Sequence, residues 1–313
     1  MPAATVAAGQ KARILAEALP FIRAFHASTL VIRFGGGAMT DPVLKEGFAR
    51  DVALLRLVGM KPIVVHGGGW RIDDLLQTMG IAAPKRRGIR VTDEATMNVV
   101  EMALGELNQE LVGLINRHGA KAVGLSGQDG RFIHAKRMTL PPDDGGGEAP
   151  DLGFIGAVER IDPDIVRLLL AREFVPVVMP IGVGDDGTAY HINSDLVAGE
   201  IARTLHAEKL ILMTNVPGVF DRAGKLAYVL TATEAEGMLS DGTANGGMQP
   251  RLTAALAAVR EGVRSVHIID GGVPSALLLE VLTNEGVGTA LRSDAGPHFL
   301  ADSRLYLAGG ANP

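Results

Sequence analysis

The chain has no cysteine. Disulfide frameworks, zinc–thiolate sites and thiol nucleophiles are therefore excluded. It has no run of 18 uninterrupted apolar residues, so no membrane-spanning helix is expected. Met1-Pro2-Ala3-Ala4 lacks the charged start and apolar core of a secretory signal, and the protein is expected to be cytoplasmic. Basic excess is also missing. The formal net charge is −5, which argues against nucleic acid but leaves room for a local cationic cluster. No Gly-Lys-Ser/Thr follows the glycine triplets, and neither triplet has the Gly-x-Gly-x-x-Gly spacing of dinucleotide binders. The eight histidines are scattered, with no His-x-x-x-His pair, so no residues are assigned to a metal. Ser126 lies in no Gly-x-Ser-x-Gly elbow.

What remains is apolar and rich in glycine. A chain of 313 residues that is 47% hydrophobic is not disordered, and its length suits one large domain or two lobes. Forty glycines are about 13%, near twice the usual ~7%. They fall where apolar strands hand over to helices, which suggests backbone amides brought close to ligands.

Residues 12–25 carry Ile14, Ala18, Phe21, Ile22 and Phe25 at helical spacing, with Pro20 expected to kink or break the helix. Strands are expected at 29–34 and 62–66, each ended by a glycine triplet (Gly35–Gly37 and Gly67–Gly69) and followed by a helix, 42–58 and 70–79. Residues 81–91 read as a basic hairpin. Thr92 reads as the N-cap of a helix whose Met97, Val100, Leu104, Leu107, Leu111 and Leu114 are spaced 3, 4, 3, 4 and 3. A strand at 122–126 and a mobile loop at 141–150 follow, then a helix at 163–172 and a strand at 175–179. Residues 180–187 read as turns, and a helix starts near Ser194. The remainder reads as strand 209–213, loop 214–218, helices 232–239 and 248–261, strand 265–269, helix 275–282 and strand 287–291. Alternating strands and helices predict an α/β protein with a mainly parallel central sheet covered on both faces. Ligands then belong beyond the carboxyl ends of the strands.

Three groups of residues could carry chemistry. The two glycine triplets are either anion nests or merely tight turns; two in equivalent places favour anion binding. Arg33 in an apolar strand, Arg90 at the hairpin's end and Arg251 at a helix start each meet either a bound anion or a structural carboxylate. His191-Ile192-Asn193-Ser194-Asp195 is a polar cluster before a helix, in which Asp195 either serves the helix start or orients the cations.

With these segments in hand, the chain resembles the N-acetyl-L-glutamate kinases of the amino-acid kinase superfamily over about residues 12–292. The resemblance rests on Val31-Ile32-Arg33-Phe34-Gly35-Gly36, Val64-Val65-His66-Gly67-Gly68-Gly69, Gly88-Ile89-Arg90-Val91-Thr92-Asp93, Asp151-Leu152-Gly153-Phe154-Ile155-Gly156, Val216-Pro217-Gly218-Val219 and Gly246-Gly247-Met248-Gln249-Pro250. It implies an αβα sandwich. Residues 1–28 would be an oligomerisation helix, 29–182 an acyl-amino-acid lobe and 183–313 an ATP lobe. It implies transfer of the γ-phosphoryl group of ATP, with Mg2+, to the side-chain carboxylate of N-acetyl-L-glutamate, a step toward arginine. By similarity Arg33, Asp195 and Arg251 are catalytic, and Asp195 holds the two cations. Gly68, Gly69, Arg90, His191 and Asn193 meet the substrate, while Gly35, Gly36, Asn215, Gly218, Gly247 and Met248 meet the nucleotide and its phosphates.

The chain departs from the family pattern inside that predicted site. The family has lysine where Arg33 and Arg251 stand, asparagine at His191, aspartate at Asn215 and usually proline at Trp70. Arginine is a wide planar fork and lysine a compact point charge. Two readings stay open: a working kinase with a shifted pocket, and a non-catalytic relative acting as ligand sensor or as partner of another arginine-pathway protein. The segment 12–25 resembles the extra helix of hexameric, arginine-inhibited members, and Glu280 with Glu285-Gly286-Val287-Gly288 resembles their effector site. The resemblance thus implies a hexamer built of dimers, with L-arginine held by Glu280 and Gly286. The alternative is an ordinary packing helix and acidic surface.

Overall fold

The computed structural model describes residues 8–142, 149–284 and 286–294. In chain order the elements are α1 (Ala8–Phe25), β1 (Thr29–Phe34), α2 (Pro42–Leu57), β2 (Lys61–His66), α3 (Gly69–Met79), β3 (Lys85–Arg86), β4 (Ile89–Arg90) and α4 (Glu94–Arg117). There follow β5 (Lys121–Ser126), β6 (Ile133–Arg137), β7 (Gly156–Ile161), α5 (Asp164–Ala171), β8 (Phe174–Met179), β9 (Ile181–Val183) and β10 (Ala189–His191). The chain continues through α6 (Ser194–Thr204), β11 (Lys209–Thr214), β12 (Val229–Thr231), α7 (Ala232–Ser240), α8 (Met248–Arg260), β13 (Ser265–Asp270), α9 (Ala276–Leu282) and β14 (Gly288–Arg292).

Eight strands form one sheet in the order β12-β14-β13-β11-β1-β2-β8-β5. Only β13–β14 is antiparallel. The period-two alternation of each strand decides which layer its side chains enter. Leu30, Ile32 and Phe34 of β1 join one core with Phe48 of α2, Leu111 of α4 and Leu277 of α9. Val31 joins the opposite core with Val166 of α5, Val197 of α6 and Leu252 of α8. The result is the expected α/β sandwich, αβα in layers. Parity puts Arg33 on the α6 face and His66 on the α4 face.

Several expectations change. Pro20 does not break α1. Its missing N–H costs one bond, but Phe21 is buried and Ala18, Ile22 and Phe25 pack on the core between α2 and α9, so tertiary packing holds the helix. The N-cap of α4 is Asp93 rather than Thr92: the Asp93 carboxylate accepts from Thr96 N at 2.8 Å. Thr92 is engaged elsewhere, its N–H donating to Leu152 O and its carbonyl accepting from Phe154 N. Residues 180–187 are not all turn. Ile181–Val183 is a buried strand in a second sheet, β10-β9-β6-β7, which the sequence reading did not anticipate. The predicted hairpin is β3–β4, turning through Arg87 and Gly88, both at positive φ. Within the predicted loop 141–150, residues 143–148 lie outside the described residues.

Candidate active site

The site begins at the end of β1. Phe34 pairs in register with His66 of β2, so the two glycine triplets leave the sheet side by side. Gly36 turns the chain at φ +77°, a conformation that favours glycine. Arg33, with its side chain 11% exposed, reaches across to the start of α6. Its Nε lies 2.9 Å from Asp195 Oδ1 and 3.1 Å from Ser194 Oγ, and its Nη1 donates to Met213 O at 3.1 Å. The guanidinium covers Gly35 and comes within van der Waals reach of Gly67, where a Cβ would meet it. Burial and the nearby Arg251 charge lower its pKa, while Asp195 acts the other way. Asp195 is thus a partner of the cation, and the helix start is capped instead by Asn193, whose Oδ1 accepts from Asp195 N at 2.7 Å.

Across from the first triplet, the Asn215 Oδ1 accepts from Gly37 N at 2.5 Å and stands over Gly36. Gly218, Gly247, Met248 and Arg251 line one pocket of about 350 Å3, joined by Phe220 and Asn245. Arg251 Nη1 donates to Gly247 O at 2.8 Å, and its buried Nε has no partner. An orphaned, buried guanidinium N–H, close enough for its charge to act on Arg33, is what an anionic phosphate chain would satisfy. The donor set therefore fits a nucleotide.

The second triplet leads to a different group. Gly68 packs on α4 so closely that a Cβ would lie 2.6 Å from Leu104 Cδ2, and Gly69 opens α3. On the next turn of α3, Asp73 Oδ1 pairs with Arg90 Nη1 at 2.6 Å. His191, at the end of β10, has a buried Nδ1 without a partner. Burial, then the charge of Arg90, lowers its pKa to about 4, so its ring is neutral at pH 7. Beneath this loop His66 is fully buried and bonds Gly67 O at 2.8 Å and Asn108 Nδ2 at 3.1 Å. Burial lowers it to about 4 as well.

Glu280 of α9 lies on the face of the sheet opposite Arg33, and Gly286 precedes β14. Glu280 Oε1 is 2.5 Å from His267 Nδ1, and Oε2 accepts from Val287 N at 2.8 Å. His267 Nε2 meets Lys209 Nζ at 3.1 Å, and that ammonium sits 4.8 Å over the Phe25 ring of α1. Burial acts to raise the Glu280 carboxyl, but His267, the Val287 amide and Lys209 outweigh it and hold it below its ordinary value. Glu285 lies outside the described residues.

The structure therefore gathers Arg33, Gly35, Gly36, Asp195, Asn215, Gly218, Gly247, Met248 and Arg251 around the ends of β1 and β11, Gly68, Gly69, Arg90, His191 and Asn193 around the second triplet, and Glu280 in a separate cluster. Sequence reasoning placed Ser194 in the polar cluster without giving it a partner, and missed the Met213 carbonyl, which with Ser194 holds Arg33, and Asp73, which holds Arg90. It also passed over Asn108. A carboxamide inside the buried Leu104–Leu111 stripe of α4 was the available signal, because a polar group there needs partners.

The chain matches the Amino acid kinase family over residues 28–270. It is 58% identical over 287 residues to the acetylglutamate kinase of Chromobacterium violaceum, covering 91% of this chain and 99% of that protein. It is 55% identical over 291 residues to the acetylglutamate kinase of Nitrosomonas eutropha, covering 93% and 99%. Among solved structures it superposes with TM-score 0.80 on N-acetylglutamate synthase from Neisseria gonorrhoeae complexed with coenzyme A and N-acetyl-glutamate, at 26% identity over 91% of this chain. This chain spans 64% of that synthase's length. Carbamate kinase from Giardia lamblia bound to AMP-PNP shares the fold, with TM-score 0.60 and 16% identity, covering 86% of this chain and 99% of that one. On these matches the chain belongs to the amino acid kinase family, in its acetylglutamate kinase branch.

Proposed function

We propose that the protein transfers the γ-phosphoryl group of ATP to the side-chain carboxylate of N-acetyl-L-glutamate, an arginine-biosynthetic step. The observation that carries this reading is the buried Arg33–Asp195 pair bracketed by two glycine loops, with Arg251 beside it. Phosphoryl transfer asks for positioning and for offsetting spread negative charge. Arg33 and Arg251 offset the charge on the transferring group, and Asp195 and Ser194 fix where Arg33 points. The Gly36 and Gly68 amides donate to the phosphoryl oxygens, and Asn215 yields the Gly37 amide as the phosphates enter. The acceptor carboxylate is already ionised at pH 7, so it attacks phosphorus without a general base, and ADP leaves with the electron pair. Arg90 clamps the α-carboxylate. Neutral His191 and the free amide nitrogen of Asn193 contact the acylamino group. When bound, Mg2+ would supply charge neutralisation to the phosphates of the nucleotide. Among the described residues no group of three or more histidine or acidic side chains could hold a metal, so the ion would arrive with the nucleotide.

The substitutions keep a cation at each place where the family has lysine, and nothing in the structure favours a non-catalytic relative. The division into an acyl-amino-acid lobe, 29–182, and an ATP lobe, 183–313, belongs to the same reading. Among the described residues no helix is long and apolar enough to cross a membrane. A chain that consumes ATP is placed by this reading in the cytoplasm. The test is turnover with ATP and N-acetyl-L-glutamate, the acyl phosphate being trapped as hydroxamate. Stoichiometric hydroxamate and ADP support the reading, and ADP without hydroxamate overturns it.

The same reading makes α1 an oligomerisation helix and the Glu280–Gly286 region an L-arginine site. Ile14, Leu15 and Leu19 of α1 are 54%, 74% and 54% exposed, an apolar stripe that a second copy would cover. Light scattering is expected to give a hexamer that becomes a dimer on removal of residues 1–25. A dimer for the full chain, with and without L-arginine, overturns this part.

A further inference from the structure

Two polar residues lie beneath the second glycine triplet and are given no task by the phosphoryl-transfer reading. His66 and Asn108 are both fully buried, so neither can touch a substrate. Asn108 stands among the buried leucines of α4, and its Oδ1 has no hydrogen-bond partner. That oxygen faces Gly124 of β5, where it leaves no room for a Cβ. A buried acceptor left unpaired costs stability. The side chain is oriented by its donors instead. Nδ2 lies 2.8 Å from Val177 O of β8 and 3.1 Å from His66 Nε2. A carbonyl oxygen only accepts, so the atom beside Val177 O is the amide nitrogen, and the flipped amide is excluded.

The amide in turn fixes the proton on His66. Nε2 receives an N–H from Asn108 and is the bare nitrogen, so Nδ1 carries the hydrogen, which it donates to Gly67 O at 2.8 Å. A neutral ring makes both bonds, and burial keeps the ring neutral at pH 7. Gly67 O and the Gly68 N–H belong to one planar trans peptide, in which the two groups point opposite ways. Holding the carbonyl on the imidazole therefore aims the Gly68 N–H away from it. The neighbouring groups are anchored separately: Gly67 N donates to Phe34 O at 2.8 Å, and Gly68 O accepts from Arg71 N and Ile72 N at 3.0 Å. The peptide between two glycines is the one with the most freedom to turn, and His66 is what holds it.

We infer that Asn108 and His66 are positioning residues, a relay running from Val177 O through both side chains to Gly67 O that aims the Gly68 N–H at the transferring phosphoryl group. What the N–H meets rests on the phosphoryl-transfer reading, whereas the relay is measurable without turnover.

The experiment compares two isosteres and reads the ring proton directly. In His66→Asn the side-chain nitrogen falls where Nδ1 lay and still donates to Gly67 O. In His66→Gln it falls where Nε2 lay, and the donor to Gly67 is lost. Both variants give up the ring, so a merely structural role lowers their activities alike. The Asn variant is expected to form hydroxamate with a kcat at least about tenfold above that of the Gln variant, with KM for both substrates little different between them. Equal kcat values, or a difference confined to KM, overturn the inference. In the full chain carrying nitrogen-15-labelled histidine, NMR at pH 7 is expected to find the His66 proton on Nδ1. A proton on Nε2 overturns the inference whether or not either variant folds. A parent protein that makes no hydroxamate but keeps the Nδ1 proton defeats the phosphoryl-transfer reading, and with it the target assigned to Gly68, and leaves the relay standing.

Discussion

Arg33 is held on three sides, by a carboxylate, a hydroxyl and a carbonyl. A lysine ammonium keeps the charge but cannot present the same fork to all three. Arg33→Lys is therefore expected to lower hydroxamate formation at least tenfold, about 1.4 kcal/mol, with little change in KM for N-acetyl-L-glutamate. A rise in turnover would instead mark the arginine as a degraded lysine. Arg33→Ala leaves Asp195, 4% exposed, as a buried unpaired charge and is expected to cost about 3–5 kcal/mol in urea unfolding. At this scale the pairing of Arg33 was partly legible. A cation between Ile32 and Phe34 had to meet an anion, and a carboxylate at a helix start was available. The choice between its two roles was not legible, because it turned on Asn193 taking the cap. Nor could the sequence place the Asn215 oxygen on the Gly37 amide, since residues 178 apart in the chain meet there only through the fold.

Among elements, the strands of the large sheet were legible because they are continuous apolar runs, as buried parallel strands must be. The second sheet was not. Its strands β6 and β7 carry exposed Lys136, Arg137, Glu159 and Arg160, and β9 and β10 have three residues each, too few to display a period. The glycine triplets were read as ligand loops, yet the structure gives Gly68 a packing reason as well. An added methyl group there would press on Leu104 and Leu107 of α4. Gly68→Ala is expected to cost about 1–3 kcal/mol by overpacking and to raise KM, since the loop must lift from α4. Truncating the obstacle separates the two effects. Adding Leu104→Ala to Gly68→Ala is expected to restore KM toward its original value while stability stays low, because the lost leucine leaves its own cavity. If KM remains high in the double variant, the loop's position is not set by that contact.

Over the whole molecule the buried titratable groups set the response to acid. His66 is 0% exposed and its pKa is lowered from 6.5 to about 4 by burial. Between those two values the unfolded chain binds a proton that the folded chain refuses, so stability is full above pH 6.5 and falls as the pH drops toward 4. The full effect is about 3 kcal/mol. His191, half-buried, adds a smaller loss in the same window and His267 another in the same direction. Asp51 opposes them. Its carboxyl is raised from 3.8 to about 6 by burial, so the folded chain takes its proton first and gains stability over the fall from pH 6 to 4. The gain is up to about 3 kcal/mol. Asp51→Asn removes both the buried charge at neutral pH and this compensation. The variant is therefore expected to be more stable than the parent in urea at pH 7 and to lose stability more steeply on acidification to pH 4.5. Parallel pH dependences for the two proteins would mean that Asp51 titrates as an ordinary surface carboxylate, and the argument from its burial would fail.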